Sequence, residues 1–451
     1  MDGLECSEIN RSELERTLRI DSEFYSKSAI KVSDMLQSRS HDLLTTFVNV
    51  SDGNHMGISD CFIDEGVPYY RGQDAGAFFI ENSTPICINE KTFELPVMKR
   101  SHLKKGDVIL SIVGTIGSLS LVYSDKSATC SCKLAILRPK EGKSAELLAT
   151  FLRGKYGQAQ ITRFTRGAVQ KGLILEDMDQ LVVPTFGDGI VEAIKNAVQS
   201  AYQIQEKANI HYREAQRTLM NSVGSILVPA ESVSVRNIST SFYTTGRLDA
   251  EYYQPKYDIL FDELKKFSCK RLGGPNGIVN IKKSIEPGSE AYTEDGIPFV
   301  RVSDISKFGI SEPDIKLRSD IIPNPEVLFP PKDTILLSKD GSVGIAYKVE
   351  ATMPIITSGA LLHLKVRDKT EVLPDYLTLV LNSPVVQLQA ERDSNGAIIR
   401  HWKPSEIENV IIPILDMDTQ KEIAAKVQEA FTLRKQSKQL LEYAKQAVEM
   451  A

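Results

Sequence analysis

The chain has 451 residues, 42% hydrophobic and 25% charged, with a formal net charge of -5, the balance of an ordinary globular protein with apolar material for two separate cores. No stretch approaches the roughly 18 uninterrupted apolar residues of a membrane span, and the opening MDGLECSEINRSELER is polar and acidic rather than a signal or transit peptide, so a cytoplasmic protein with no membrane contact is expected. Six cysteines do not make a disulfide framework in so long a chain, and six histidines show no paired ligand spacing, so no metal site is expected. Cys130 and Cys132 read as alternating positions of one strand, free and reduced.

Taken in chain order, the predicted elements occur twice, at an offset of about 229 residues. RIDSEFY (19–25) returns as RLDAEYY (247–253), and DEGVPYYRGQD (64–74) as EDGIPFVRVSD (294–304). Within that pair, Gly66 with Pro68 and Gly296 with Pro298 each mark a turn before a short strand. GDVILSIVGTIG (106–117) returns as KDTILLSKDGSVG (332–344), with one residue inserted. There, strands VILSIV (108–113) and TILLSK (334–339) run into the glycine pairs Gly114/Gly117 and Gly341/Gly344, which supply positive φ and close backbone approach. ELLATFLRG (146–154) and DYLTLVLNS (375–383) read as short helices. RGAVQKG (166–172) returns near NGAIIRH (395–401), and LVVP (181–184) as VIIP (410–413), each followed by a long helix.

The two long helices carry matching seams. Ile194, Val198, Ala201, Gln205, Ala208, Tyr212, Ala215 and Leu219 correspond, at the repeat offset, to Ile423, Val427, Ala430, Arg434, Ser437, Leu441, Ala444 and Val448. Their alternating steps of four and three predict a left-handed coiled-coil seam. Two such helices from one chain pair most simply antiparallel; the alternative is that each packs only on its own domain. The matched breaks at Gln205/Arg434 and Ala208/Ser437, polar at all but Ala208, favour mutual pairing, because polar seam positions fix register. A helix over 188–220 is about 50 Å long at about 1.5 Å per residue, against roughly 34 Å for one turn of B-DNA. The expected fold is α/β (α+β): two similar globular domains separated by two long antiparallel coiled-coil helices, a pseudo-two-fold internal duplication.

This plan resembles type I restriction–modification DNA specificity subunits over nearly the whole chain. RLDAEYYQPKY (247–257) is similar to the motif that opens the family's second half, and the Gly-x-x-Gly segments to its glycine turns. NGAIIRHWKPSEIENVIIPIL, followed by Asp418-Thr419-Gln420-Lys421-Glu422-Ile423-Ala424, resembles its junction into the helix; TFGDGIVEAI after Pro184 departs from that form. The resemblance implies an N-terminal helical segment (1–40), a target-recognition domain (41–186), a central helical region (187–246), the start of the second repeat (247–267), a second target-recognition domain (268–413) and a C-terminal helix (414–451). It also implies that each domain reads one half of a bipartite site in double-stranded DNA. The helical regions would bind two methyltransferase subunits, joined by motor-nuclease subunits. No cofactor is expected on this chain; S-adenosylmethionine and ATP/Mg belong to the partner subunits.

Base reading needs side chains that reach base edges and others that hold phosphates. The candidates in the first half are Arg71, Gln73, Gly114, Thr115, Gly117, Arg163, Arg166, Gln170 and Lys171. Those in the second are Arg301, Ser303, Lys339, Gly341, Ser342, Gly344, Arg392, Asn395, Arg400 and His401. Arg71 and Arg301 have an alternative partner three residues on, in Asp74 and Asp304. Phe24, Tyr25, Tyr252 and Tyr253 are candidates either for a partner interface or as small core plugs; Trp402 reads as a core residue. A DNA-binding protein is usually basic, so a net charge of -5 requires Lys and Arg gathered on one face or phosphate contacts shared with partners. The chain carries no Asn-Pro-Pro-aromatic tetrapeptide, no Walker loop and no Gly-x-Ser-x-Gly elbow. Together with the resemblance, this implies a non-catalytic specificity subunit. The alternatives are a scaffold for a solitary DNA methyltransferase and a stand-alone nuclease.

Overall fold

The structure is a computed structural model and describes residues 7–14, 19–80, 85–167, 170–224, 233–396 and 399–451. Its contacts divide the chain into two units, Met1–Glu206 with Arg434–Ala451, and Lys207–Leu433. Parts of the repeated blocks RGAVQKG and NGAIIRH (168–169 and 397–398) lie outside the described residues.

In the first unit, a four-stranded antiparallel sheet runs in the order Val48–Asp52, Leu134–Pro139, Val108–Ser111, Leu119–Leu121. The strand Val108–Ser111 is buried throughout because both faces are covered. Alternate side chains serve different cores. Val108 and Leu110 face the helix pair Ala145–Arg153 and Lys155–Phe164, while Ile109 packs with Ile136, Val122 and Cys130. Ser144 starts the helix pair by accepting a hydrogen bond from the Leu147 N–H, and Gly154 separates the two helices. A smaller sheet follows in the order Phe62–Ile63, Cys87–Ile88, Val67–Tyr70, Thr129–Cys130, its last pair parallel. His41–Leu43 pairs with Val182–Pro184 and closes the globule at its chain ends.

The second unit repeats this plan strand for strand. Its central sheet is Val279–Lys283, Leu361–Val366, Ile335–Ser338, Ala346–Lys348. Its small sheet is Tyr292–Thr293, Lys316–Leu317, Ile297–Val300, Ile356–Thr357, again ending in a parallel pair. Cys269–Arg271 pairs with Ile411–Pro413, and the helix pair is Pro374–Leu381 and Pro384–Asp393. The short pair Ile305–Ser306 with Gly309–Ile310 is an addition of this unit. Trp402 is buried in its core, as expected.

Two local readings need correction. The strands expected over 108–113 and 334–339 stop at Ser111 and Ser338, because the glycine turns fold back on them. Gly117 and Gly344 donate their N–H groups to the Ser111 and Ser338 carbonyls at 3.1 and 2.9 Å. Cys130 ends the strand Thr129–Cys130, and Cys132 lies beyond it in a turn where Leu134 N–H reaches the Ser131 carbonyl; both thiols are free.

The long helices are Asp188–Val223 and Met417–Met450, and each contributes one part to either unit. In the first unit Ile194, Val198 and Ala201 share a core with Ala444 and Val448, and the Ser437 hydroxyl donates to the Ala201 carbonyl at 2.8 Å. In the second unit Tyr212, Ala215, Leu219 and Val223 share a core with Ile423, Val427 and Ala430. There the pairs Thr218–Glu422 (3.4 Å) and Glu214–Lys426 (3.9 Å) advance in opposite senses, so the packing is antiparallel. Arg434 and Leu441 are half-buried and every other expected seam residue is buried. Replacing the fully buried Ile194 with Ala is expected to cost about 2–5 kcal/mol, read as a lower urea midpoint; an unmoved midpoint would contradict the seam.

The second unit also holds a buried histidine, His363, whose Nε2 lies 2.8 Å from the Thr357 hydroxyl. Burial, with a minor contribution from Lys282, pushes its pKa down from 6.5 to about 4. The unfolded chain therefore takes a proton that the folded imidazole refuses. The contribution of His363 to stability should be complete above pH 6.5 and decline as the pH falls toward about 4. His363→Gln should flatten the urea midpoint over that interval; an unchanged pH dependence would refute the assignment.

Candidate nucleic-acid interface

Three connecting segments of the first unit come together at one edge. The first is the turn Gly72–Asp74, which follows the strand Val67–Tyr70. The second is the Gly-x-x-Gly turn after Val108–Ser111, and the third is the loop from Thr165 to Leu173. The Thr115 hydroxyl donates to the Gly72 carbonyl at 3.0 Å, tying the first two. Leu173 N–H donates to the Ile112 carbonyl at 2.9 Å, tying the third. Arg166 and Gly172 exchange backbone hydrogen bonds at 2.9 and 2.8 Å and pinch the base of the loop. The second unit is built alike: Asn395 and His401 exchange bonds at 3.1 and 2.7 Å, and Gly341 N–H donates to the Arg400 carbonyl at 2.9 Å. The Arg301 turn joins this group through Ser358 N–H on the Val300 carbonyl and Lys339 N–H on the Ala360 carbonyl, both 2.9 Å.

The sequence candidates divide by exposure and partner. Gln73, Thr115, Gln170, Lys171, Ser303, Ser342, Asn395, Arg400 and His401 are exposed. Arg71 and Arg301 stay half-buried beside Asp74 and Asp304, with Nε 3.6 and 3.7 Å from a carboxylate oxygen, and the two aspartates also accept the backbone N–H of their own arginines at 2.8 Å. Arg166 reaches the buried Asp177 at 2.5 Å, and Lys171 lies 3.5 Å from Glu23. Lys339 pairs with Asp340, whose other oxygen lies 2.8 Å from His401 Nδ1. Arg163 and Arg392 do not project from the edge. Arg163 lies 4.2 Å over the Phe24 ring and donates to its carbonyl at 3.0 Å. Arg392 lies over Tyr252 and Phe261 at 5.0 and 4.4 Å and pairs with Asp393. Phe24 is a core plug, and Tyr25, Tyr252 and Tyr253 are half-buried.

Sequence reasoning missed two glutamines that hold the glycine turns. Gln158 Nε2 donates to the carbonyls of Gly117 and Leu152 at 3.0 and 2.7 Å. Gln387 Nε2 does the same for Gly344 and Leu381, at 2.8 Å each. Both stand at the repeat offset, so the duplication itself was the available signal. All four turn glycines have positive φ, between 70° and 87°. A Cβ on Gly117 would sit 2.7 Å from Gln158 Oε1, whereas one on Gly114 would meet open space. Both Ala substitutions carry a left-handed backbone penalty of about 1–2 kcal/mol, but only Gly117→Ala adds the collision. Thermal unfolding should rank Gly117→Ala below Gly114→Ala, with part of the gap recovered in Gly117→Ala/Gln158→Ala; equal midpoints would sink this account of the turn.

Exposed donors and acceptors raised on rigid turns suit base edges, and the pinched loops present exposed Lys171 and Arg400 where phosphates could be met. Among the described residues, no helix is long and apolar enough to cross a membrane.

Residues 265–443 match the family model described as "Type I restriction modification DNA specificity domain". No curated protein matches the chain. Among solved structures, the type I restriction–modification S subunit from M. genitalium is similar at 14% identity, covering 91% of this chain and 95% of that one, with a TM-score of 0.40. The HsdS subunit from Thermoanaerobacter tengcongensis is similar at 16% identity, covering 91% and 95%, with a TM-score of 0.30.

Proposed function

We propose that this chain, whose residues 265–443 match the model for type I restriction–modification DNA specificity domains, reads DNA sequence as the specificity subunit of a type I restriction–modification complex. One observation carries the reading: the unit that holds most of the family match is reproduced, strand order for strand order, by the first unit. A protein with two such units reads a target with two parts, one part per unit. The exposed side chains at the two edges differ, Gln73, Gln170 and Lys171 against Ser303, Asn395 and Arg400, which suits two different half-sites. Arginine and lysine at these edges hold phosphates or guanine, and the amides pair with adenine.

In this reading the chain does no chemistry itself. Two methyltransferase subunits supply S-adenosylmethionine chemistry, motor-nuclease subunits supply ATP/Mg-driven cleavage, and this chain brings both to the target in the cytoplasm. The exposed faces of the long helices are the surfaces left for those subunits.

Exchanging residues 41–186 for the equivalent domain of another family member should change one half of the methylated target and leave the other intact. Methylome sequencing of cells carrying the hybrid checks this; a change in both halves, or in neither, overturns one-unit-one-half reading. In a duplex-binding titration at several salt concentrations, Lys171→Ala should weaken binding at all sequences and lower the salt slope by about one.

A further inference from the structure

The repeated block 19–25/247–253 carries none of the base-reading candidates, yet the structure gives it the same arrangement in both units. In the first, the Arg19 guanidinium grips the Asp21 carboxylate with Nε and Nη2 at 2.8 and 2.9 Å. Its remaining hydrogens reach the carbonyls of Phe164 and Thr165 at 3.3 and 3.2 Å. These carbonyls end the helix Lys155–Phe164, directly before the pinched loop. In the second unit Arg247 grips Asp249 at 2.5–3.2 Å and donates to the Asp393 carbonyl at 3.0 Å, at the end of the helix Pro384–Asp393. Each assembly is completed by an aromatic ring under two guanidinium groups. Arg19 and Arg163 lie 4.4 and 4.2 Å from Phe24, and Arg247 and Arg392 lie 4.4 and 5.0 Å from Tyr252.

The last carbonyls of a helix lack intrahelical donors and carry its negative dipole end, so a fixed cation there settles where the helix stops and in which direction the chain leaves. Here the carboxylate and the ring hold the arginine against those carbonyls. The guanidinium beside each carboxylate also holds Asp21 and Asp249 below the usual carboxylate range.

We propose that Arg19 and Arg247 are positioning residues for base reading, each setting the exit of one reading loop and thereby the discrimination at one half of the target. This rests on the loops at 165–173 and 394–402 meeting DNA, as argued above.

The test uses the tagged full-length chain, purified with the subunits it carries from its host. Arg19→Lys and Arg247→Lys keep the charge but cannot grip the carboxylate and the helix carbonyls together. Asp21→Asn and Asp249→Asn loosen the same clasp with the arginine in place and serve where a lysine variant fails to fold. Ile20→Ser, an exposed position between clasp residues, is the control. Hydrogen exchange reads the loop without DNA: the Arg166 and Gly172 amides should exchange at least about tenfold faster in Arg19→Lys, and those of Asn395 and His401 in Arg247→Lys. Enrichment from a random duplex library reads discrimination. Arg19→Lys should lose about tenfold preference in one half of the enriched sequence, the scale of one base contact, and Arg247→Lys in the other half only. Unchanged loop exchange, or equal erosion of both halves by either variant, overturns the proposal. A wild-type chain that enriches no two-part sequence overturns the DNA assignment, and this proposal with it.

Discussion

The close approach of two helix backbones is what the rest of the protein depends on. Ala201, Ala208, Ala215, Ala430 and Ala444 are all fully buried on the seam, and side chains this small let the helices come near enough for a backbone carbonyl, that of Ala201, to accept the Ser437 hydroxyl. Dispersion between backbones in van der Waals contact is collectively large, and it is gained within each unit separately. The first globule is thereby finished by a helix segment far from it in sequence. Lys155 N–H, at the start of a helix in the first unit, reaches Glu449 Oε1 at 2.8 Å, and Arg39 reaches the Ala451 carbonyl at 2.7 Å.

On that framework the two units keep one set of supports and vary what they carry. Gln160 brackets the Val182 peptide through both its carboxamide atoms, at 3.0 and 3.1 Å, and Gln389 brackets Ile411 at 2.8 and 2.9 Å. Gln158 and Gln387 support the glycine turns in the same paired fashion. The loops themselves use unlike chemistry. One is anchored by Arg166 on a buried carboxylate, the other by a Lys339–Asp340–His401 cluster that ties the loop to its neighbouring turn. Constant supports under variable edges are what a protein needs if it must present different contact sets in equivalent geometry.

Much of the architecture was legible in the sequence because it follows from periodicity. The seam alternates four and three, the strands alternate faces, and both patterns return at one offset, so each half checks the other. The glycine turns were legible because positive φ is a local demand that glycine meets. The division of the arginines was legible only where the partner lies nearby in sequence. Asp74 and Asp304 stand three residues from Arg71 and Arg301, and the structure pairs them. Nothing local to Arg163 or Arg392 announces that Phe24 and Tyr252, about 140 residues away, lie beneath their guanidinium groups. Both therefore read as loop cations when they are parts of a clasp. The supporting glutamines escaped for the same reason, since a carboxamide bonded to a distant carbonyl leaves no trace in composition.

The first unit is discontinuous, taking residues 434–451 as well as 1–206, whereas residues 207–433 form the second unit without interruption. A ribosome delivers the chain from its N-terminal end, and domains usually mature in that order. Here the order inverts: the later unit has all its sequence while the earlier one still waits for Ala444 and Val448 to fill its core. Until they emerge, the apolar stripe formed by Ile194, Val198 and Ala201 is an open hydrophobic surface on the nascent protein. Translation thus leaves the unit that is begun first to be the last one completed.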